Sequence, residues 1–500
     1  MNAGNHDPRG TLSGLAASLG ELCVDRVGDA VVTGVRHDSR EVSLGDLFVC
    51  IRGGQTDGHR FIADAKDRGA VGYVVDHAER SRLASGAPAL IVTDTRRALA
   101  LCAAEVYGRP SHAMRVVAVT GTNGKTTTAA MVAAIARAAG LKPGRIGTLG
   151  AEALGRELPC AHTTPEADDL QRIMSEMRAM GVEVLAMEAS SHGLALNRTD
   201  GIAVSAGVFT NLTQDHLDYH HDLDDYFQAK LRLFAEYPRW SNGEFTGIVN
   251  MDDPRGDAVV EATDGRVITF ATARPADLQA SGVIAHPRGT EFVVDGTCGR
   301  LPITLPIGGV FQVANALGAI GASISLGMDS NAIVEGLSTM PPVPGRFESV
   351  QTGRGWDVIV DFAHTPAGIE SLLHSARALN PDRIILVVGC GGDRDRGKRP
   401  IIGKLAGTGA DIVVVTSDNP RHEDPEAIIK EILAGMGDAT AAVIVEPDRR
   451  EAIRLAMEAA RPGDLLLIAG KGGETVTIVG DERIPYDDRL VVREILEAMQ

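Results

Sequence analysis

The chain has 500 residues, 44% hydrophobic, 23% charged and 4% aromatic, and its 49 basic against 66 acidic side chains give a formal net charge of -17 with histidine neutral. That length predicts two to four domains, each able to bury its own core. The acidic balance and the scarcity of rings argue against a phosphate-backbone binder or a stacking platform for single-stranded nucleic acid, while leaving room for a local basic pocket.

Cys23, Cys50, Cys102, Cys160, Cys298 and Cys390 are scattered without CxxC or other metal spacing, which predicts reduced, mostly packed thiols in a cytoplasmic protein. The opening MNAGNHDPRGTLSG carries charge and proline but no apolar run. No stretch approaches the roughly 18 uninterrupted apolar residues of a membrane span, so neither export nor membrane insertion is expected.

Up to about residue 112, short strand-like runs such as Ala89 to Val92 alternate with turns, and Asp38 to Phe61 is too polar and glycine-rich for one helix yet too patterned for disorder. A small α/β domain over residues 1–112 is expected. From Arg115 the pattern changes. RVVAVT reads as a buried strand, GTNGKTTT as a glycine-rich turn, and TAAMVAAIARAAG as a helix ending at Gly140. Leu170, Ile173, Met174, Met177 and Met180 then recur at helical spacing, and VEVLAME, Val182 to Glu188, suits a buried strand, so a βαβ alternation follows with the apolar stripe as core. The proline-rich PPVPGRFE, Pro341 to Glu348, interrupts helix and strand alike, which divides the remainder into 113–345 and 346–500. In the last part, IILVVGCGGDRDRGK, DIVVVTSDNPR and DLLLIAGKGGE are strand-to-polar-loop transitions. Loops leaving the carboxyl ends of parallel strands converge on one crevice, so these three could line one site.

Gly121-Thr122-Asn123-Gly124-Lys125-Thr126 is shorter than the usual phosphate loop, but its chemistry is complete. Glycines let backbone N–H groups approach phosphate, the helix amino end favours negative charge, Lys125 can reach terminal phosphates, and Thr126 can ligate Mg2+. An ordinary strand–helix turn with a surface lysine is the alternative. Glu188, at a strand end, and His216, after the apolar run VSAGVF, are further candidate ligands for a divalent ion. Glu188 could equally pair with a basic residue, and His216 could be a helix-start histidine.

Taken in order, GTNGKTTT, Thr163-Thr164-Pro165-Glu166, MEASSHGLALNR, FTNLTQDHLDYH, YFQAK ending at Lys230, PVPGRFE, DFAHTP, GCGGDRDRGKRP, SDNPR and GKGGE resemble the Mur ligases of peptidoglycan synthesis. The resemblance extends from Asp38 to Arg489. It implies an α/β, three-domain Mur ligase architecture: an amino-terminal UDP-sugar-binding domain, a central P-loop ATPase domain and a carboxyl-terminal Rossmann-like domain that binds an amino acid. It also implies a monomer with ATP as co-substrate and Mg2+. The reaction implied adds meso-2,6-diaminopimelate to the D-Glu γ-carboxylate of UDP-N-acetylmuramoyl-L-Ala-D-Glu through an acyl phosphate. An L-lysine-adding ligase and an inactive nucleotide-binding scaffold are the alternatives.

The family's residues then fall on this sequence as follows. Gly121 to Thr126 with Thr127, Asn315, Arg346, Asp361 and His364 would hold ATP. Thr126, Glu188 and His216 would hold metal, with Lys230 contributing as its N6-carboxylysine carbamate. Ser39, Thr163, Thr164, Ser190 and Arg198 would meet the UDP-MurNAc-dipeptide, and Arg394, Asp418, Asn419, Arg421, Gly470 and Glu474 the diaminopimelate. Lys125, Glu188, His216 and Lys230 form the catalytic set. Arg421 can clamp a distal carboxylate that lysine lacks. Two positions depart from the family: Gln312 stands where Asn is usual, and Gly473 where GKGHE has His. The first leaves ATP use intact; the second is expected to loosen the loop.

Overall fold

The computed structural model describes residues 10–499 except Gln55, Asn242, Cys298 and Asp438, so the expectations for Cys298 and for the opening segment before Gly10 lie outside the described residues. Strands β1 (Cys23–Val27), β2 (Gly34–Arg36), β3 (Asp46–Val49), β4 (Gly72–Asp76) and β5 (Ala89–Val92) form a first sheet in the order β1-β5-β4-β3-β2, antiparallel only between β1 and β5. The helices Leu12–Leu19 and Thr95–Val106 close one face with Leu12, Leu15, Leu99 and Cys102. Asp94 starts the second helix by accepting from the backbone N–H groups of Arg96 and Arg97.

The central sheet has eleven strands in the order β16-β15-β14-β13-β12-β11-β6-β10-β7-β8-β9. They are β6 (Arg115–Thr120), β7 (Pro143–Gly147), β8 (Gly150–Ala153), β9 (Arg156–Leu158), β10 (Val184–Glu188), β11 (Ala206–Phe209), β12 (Thr246–Asn250), β13 (Arg266–Ala271), β14 (Leu278–His286), β15 (Gly289–Gly296) and β16 (Gly299–Leu305). Its middle is parallel and read as continuous apolar runs because helices cover both faces. Val117 and Val119 of β6 face the helices Lys125–Ala138 and Gln312–Ser325, whereas Val116 and Ala118 face Ala167–Ala179 and its neighbours. In that second layer Leu170, Ile173, Met174 and Met177 are buried, each contributing about 1.5–3 kcal/mol relative to exposure. Met180, at the helix cap, packs only partly.

Beyond Pro341, Pro342 and Pro344, a third sheet comprises β17 (Glu348–Gln351), β18 (Asp357–Asp361), β19 (Ile384–Val388), β20 (Ile412–Val415), β21 (Ala442–Val445) and β22 (Leu465–Ala469) in the order β17-β18-β22-β19-β20-β21, parallel except at β17. A hairpin of β23 (Val476–Val479) and β24 (Glu482–Pro485) follows. Cys50, Cys102 and Cys390 are buried free thiols, and Cys23 and Cys160 are half-buried ones.

Buried charge joins the first sheet's domain to the central one. His37 Nδ1 lies 2.8 Å from Asp168 Oδ1, and the His37 N–H donates to Asp168 Oδ2 at 3.0 Å. Burial alone would depress this imidazole, but the Asp168 carboxylate outweighs it and raises the pKa from 6.5 to about 9. A raised pKa makes the contribution to stability complete below pH 6.5 and lost as pH climbs through about 9. In thermal unfolding, the gap in Tm between wild type and Asp168→Asn should be widest near pH 6 and close by about pH 10. A gap that does not vary with pH would contradict the assignment.

Candidate active site

The phosphate loop leaves the carboxyl end of β6 between β10 and β11. Gly121 and Gly124 have φ of 144° and 88°, and a Cβ on Gly124 would lie 2.2 Å from Asn315 Oδ1, so the turn accepts only glycine there. The Thr122 N–H donates to Asn211 O and the Asn123 N–H to Asn211 Oδ1, both at 2.9 Å, which fastens the loop to the segment after β11. Lys125 opens the helix, and its Nζ donates to Gly121 O at 2.9 Å and to Thr122 O at 2.8 Å.

A second amine shares the first of these acceptors. Lys230 Nζ, brought from the helix Leu223–Ala235, is buried, donates to Gly121 O at 2.9 Å and lies 4.2 Å from the centroid of the Tyr226 ring. Burial, then the charge of Lys125, pushes Lys230 well below the usual lysine pKa.

Glu188 ends β10 with both carboxylate oxygens directed by Thr148: its N–H donates to Oε1 at 2.9 Å and its hydroxyl to Oε2 at 3.1 Å. Thr126 Oγ1 accepts from Arg346 Nη2 at 2.9 Å, across from the third sheet's domain. His216 has a left-handed backbone, φ 56°, a strained conformation for a non-glycine residue. Its ring adjoins Asp215, whose carboxylate also lies 3.8 Å from His364 Nε2 and 3.7 Å from Lys398 Nζ. Burial would raise the Asp215 pKa, but His364, His216 and Lys398 hold it down, while burial pushes the His216 imidazole down and keeps it neutral.

A cavity of about 510 Å³ unites most of the expected residues: Thr122 to Thr126, Thr163, Thr164, Glu188, Ser190, Arg198, His216, Lys230, Arg346, His364, Arg394, Asp418, Asn419, Arg421, Gly470 and Glu474. A neighbouring cavity of about 240 Å³ takes Thr127, Asn315 and Asp361 with the apolar Phe311 and Ala363, while Asn123, Gly124, Arg346 and Phe362 border both. Gly121 takes part through its carbonyl. Ser39 lines neither cavity; it begins the short turn Ser39–Glu41 and is buried. His364 lines the larger cavity and not the apolar one. Sequence reasoning missed Thr148, His162, His192, Asp215, Tyr226 and Lys398, all on the cavity wall. His192, Asp215, Tyr226 and Lys398 lie inside quoted motifs, but nothing local marks them as lining residues.

At the far end, Arg421 has φ 50° and is held by its N–H to Ile478 O at 3.0 Å and by Nη1 to Gly392 O at 2.8 Å. Arg394 Nη1 donates to Asp393 O at 2.8 Å. Among the described residues both guanidiniums thus donate to backbone carbonyls only. Asn419 Nδ2 donates to Glu474 Oε2 at 2.8 Å, and the buried Lys471 Nζ donates to Asn419 Oδ1 at 2.9 Å. No group of three or more His, Cys, Asp or Glu among the described residues forms a metal cage. One carboxylate, one hydroxyl and one neutral imidazole suit Mg2+ carried by phosphate oxygens and water, which rarely uses an all-protein cage.

Three family models match: Mur ligase family, catalytic domain, over residues 31–107; Mur ligase middle domain over 119–323; and Mur ligase, glutamate ligase domain over 345–472. A UDP-N-acetylmuramoyl-L-alanyl-D-glutamate–2,6-diaminopimelate ligase of Syntrophomonas wolfei is 44% identical over 94% of this chain and 95% of its own. The enzyme of that name from Geobacillus thermodenitrificans is 41% identical over 96% and 98%. The chain belongs to the Mur ligase family. A solved structure of a ligase of the same name aligns with a TM-score of 0.66 at 30% identity over 94% of this chain and 95% of the other.

The two departures from the family's motifs acquire physical meaning. Gln312 is buried, and its Oε1 accepts from Asn315 Nδ2 at 2.8 Å, which turns the Asn315 carbonyl toward Gly124. At Gly473 a Cβ would lie 2.8 Å from Pro344 O. The loop is therefore held close to the proline-rich connection, and the glycine serves close approach more than the looseness expected from its sequence.

Because Lys125 Nζ touches loop carbonyls and fills no apolar core, Lys125→Ala should leave the circular dichroism spectrum and Tm near wild type while ADP release falls by at least about a hundredfold. Near-normal turnover by the folded variant would contradict the assignment.

Proposed function

We propose that this protein adds meso-2,6-diaminopimelate to the D-Glu γ-carboxylate of UDP-N-acetylmuramoyl-L-Ala-D-Glu with consumption of ATP, forming the tripeptide precursor of peptidoglycan, ADP and phosphate. The observation that carries the reading is a single cavity with a phosphate loop at one end and two guanidiniums without carboxylate partners at the other. A free carboxylate resists an amine because its charge repels the nucleophile and its oxide is a poor leaving group. Transfer of the γ-phosphoryl to it yields an acyl phosphate, and attack by the amine on the acyl carbon then expels phosphate.

Lys125 and the loop N–H groups neutralise the transferring phosphates, and Arg346, already on Thr126, adds charge from the third sheet's domain. Phe311, Phe362 and Ala363 offer the adenine an apolar wall beside Asn315 and Asp361. Thr163, Thr164, Ser190 and Arg198 hold the dipeptide end, and residues 1–112, with Ser39, hold the UDP-sugar end. Thr126, Glu188 and His216 would hold Mg2+, which when bound offsets phosphate charge. Lys230 shares an acceptor with Lys125, and burial with the Lys125 charge holds its pKa well below the usual lysine value, which favours loss of a proton and addition of carbon dioxide to the freed amine. The carbamate would turn this position into a second carboxylate, which favours metal and relieves the opposition of two ammonium groups. Arg421 and Arg394 receive the distal carboxylate, with Asp418, Asn419 and Glu474 on the distal ammonium. The reaction is assigned to a cytoplasmic monomer; among the described residues no helix is long and apolar enough to cross a membrane.

Wild type should therefore prefer meso-diaminopimelate to L-lysine in kcat/KM. A lost charge-assisted bidentate contact is worth on the order of 2 kcal/mol, or about thirtyfold, so Arg421→Ala should lose most of that preference by slowing the diaminopimelate reaction. An unchanged ratio would reject Arg421 as selector. For Lys230, labelled carbon dioxide should give a carbamate NMR signal in wild type and none in Lys230→Ala, and bicarbonate should restore activity to depleted wild type only. A fully active sample with unmodified Lys230 would contradict this role.

A further inference from the structure

We propose that Arg399 and Glu423, which line neither cavity, are positioning residues that set the spacing of Arg394 and Arg421, and with it the selection of an amino acid bearing a distal carboxylate. The inference rests on the reading of Arg421 given above. Arg394 lies on the loop after β19 and Arg421 on the loop after β20, two segments that no strand pairing holds together past Val388 and Val415. Arg399, on the first turn of the helix Lys398–Gly409, is fully buried beneath both. Its Nη1 donates to Glu423 Oε2 at 2.9 Å and Glu431 Oε2 at 2.7 Å, and its Nη2 donates to Glu423 Oε1 at 2.8 Å and Gly391 O at 3.1 Å. Glu423 Oε1 also accepts from the Asp393 N–H at 2.6 Å.

One carboxylate thus ties the backbone beside Arg394 to the segment two residues past Arg421. The loops already meet closely: Gly392 N–H donates to Asn419 O at 2.9 Å, and a Cβ on Gly392 would lie 1.9 Å from Pro420 O. Asp393 and Arg421 both occupy left-handed backbone, φ 53° and 50°, conformations that persist only where surroundings enforce them. The enforcement is needed because the two guanidiniums carry like charge; burial first and then Arg394 depress the Arg421 pKa. Asp418 and Glu474 on the cavity wall attract Arg421, but among the described residues no carboxylate pairs with both guanidiniums and draws them together. The bidentate bond from Arg399 supplies the opposing attraction from below and keeps Glu423 ionised, with its pKa lowered to about 2.

The test compares kcat/KM for meso-diaminopimelate and L-lysine, with Tm, in wild type, Glu423→Gln, Glu431→Gln, Arg421→Ala and the Arg421→Ala/Glu423→Gln double variant. Glu423→Gln leaves Arg399 its bond to Glu431. It should raise KM for diaminopimelate and lower the diaminopimelate-to-lysine ratio about tenfold, with the KM for ATP within about twofold. Glu423→Asp, which keeps the charge but shortens the tie, should shift the ratio less in the same direction and stands in if the glutamine variant does not fold. Glu431, on the helix Pro425–Ala434, meets Arg399 and Arg396 but not the backbone beside Arg421, so Glu431→Gln removes a contact that does not tie the two loops to each other and should lower Tm and leave the ratio alone. The double variant should match Arg421→Ala in its ratio, since Glu423 acts through that guanidinium. A folded Glu423 variant with the wild-type ratio, or a double variant whose loss is the product of the two single losses, overturns the inference while leaving the reading of Arg421 standing. A wild type without preference, or an Arg421→Ala ratio equal to wild type, removes that reading and this inference with it.

Discussion

Seven lysine and arginine side chains face four carboxylates across one cavity, in a chain whose net charge is -17. Concentrating like charge in a partly desolvated space is costly until anionic groups arrive, and every substrate of the proposed reaction brings phosphate or carboxylate groups. Much of the local architecture answers that constraint. Lys125 and Lys230 rest on one carbonyl, Arg346 on a threonine hydroxyl, and Arg421 and Arg394 on loop carbonyls. Neutral oxygens hold these cations in place without quenching the charge that phosphate and carboxylate are to meet.

The folds of the three domains make this possible by presenting strand ends. Glu188 ends β10 and Gly121 follows β6, while Asp361 ends β18 and Asp418 and Gly470 follow β20 and β22; all lie at the carboxyl edges of parallel sheets, where loops converge. The central and third-sheet domains meet through Arg346 on Thr126, Lys398 beside Asp215, and Gln214 Nε2 donating to Asp395 Oδ2 at 3.1 Å. These contacts bring side chains of both domains to the wall of one cavity.

What the sequence made legible was local. The GTNGKTTT turn announced its phosphate chemistry because glycines, lysine and a helix start are contiguous, and VEVLAME announced a buried strand with Glu188 at its end. Lys398 and Asp215 meet from positions far apart in the chain, so no spacing marks their pairing. Thr148 orients Glu188 from the turn after β7, and His192 reaches the cavity only because β10 places its helix there. In the same HDSR motif it is His37 that contacts Asp168 across the domain junction, while the neighbouring Ser39 is buried away from both cavities, a division that no spacing marks. Gly473 likewise read as looseness in sequence and proved to be a point of close approach.

The central claim is that this cavity activates a carboxylate for an amine. It is tested most directly by supplying UDP-N-acetylmuramoyl-L-Ala-D-Glu carrying heavy oxygen in the D-Glu γ-carboxylate, with ATP, Mg2+ and meso-diaminopimelate, and by following tripeptide and phosphate by mass spectrometry. The account predicts one phosphate per tripeptide, each carrying one heavy oxygen from the carboxylate. Tripeptide formed with unlabelled phosphate, or ATP hydrolysed without tripeptide, would contradict it.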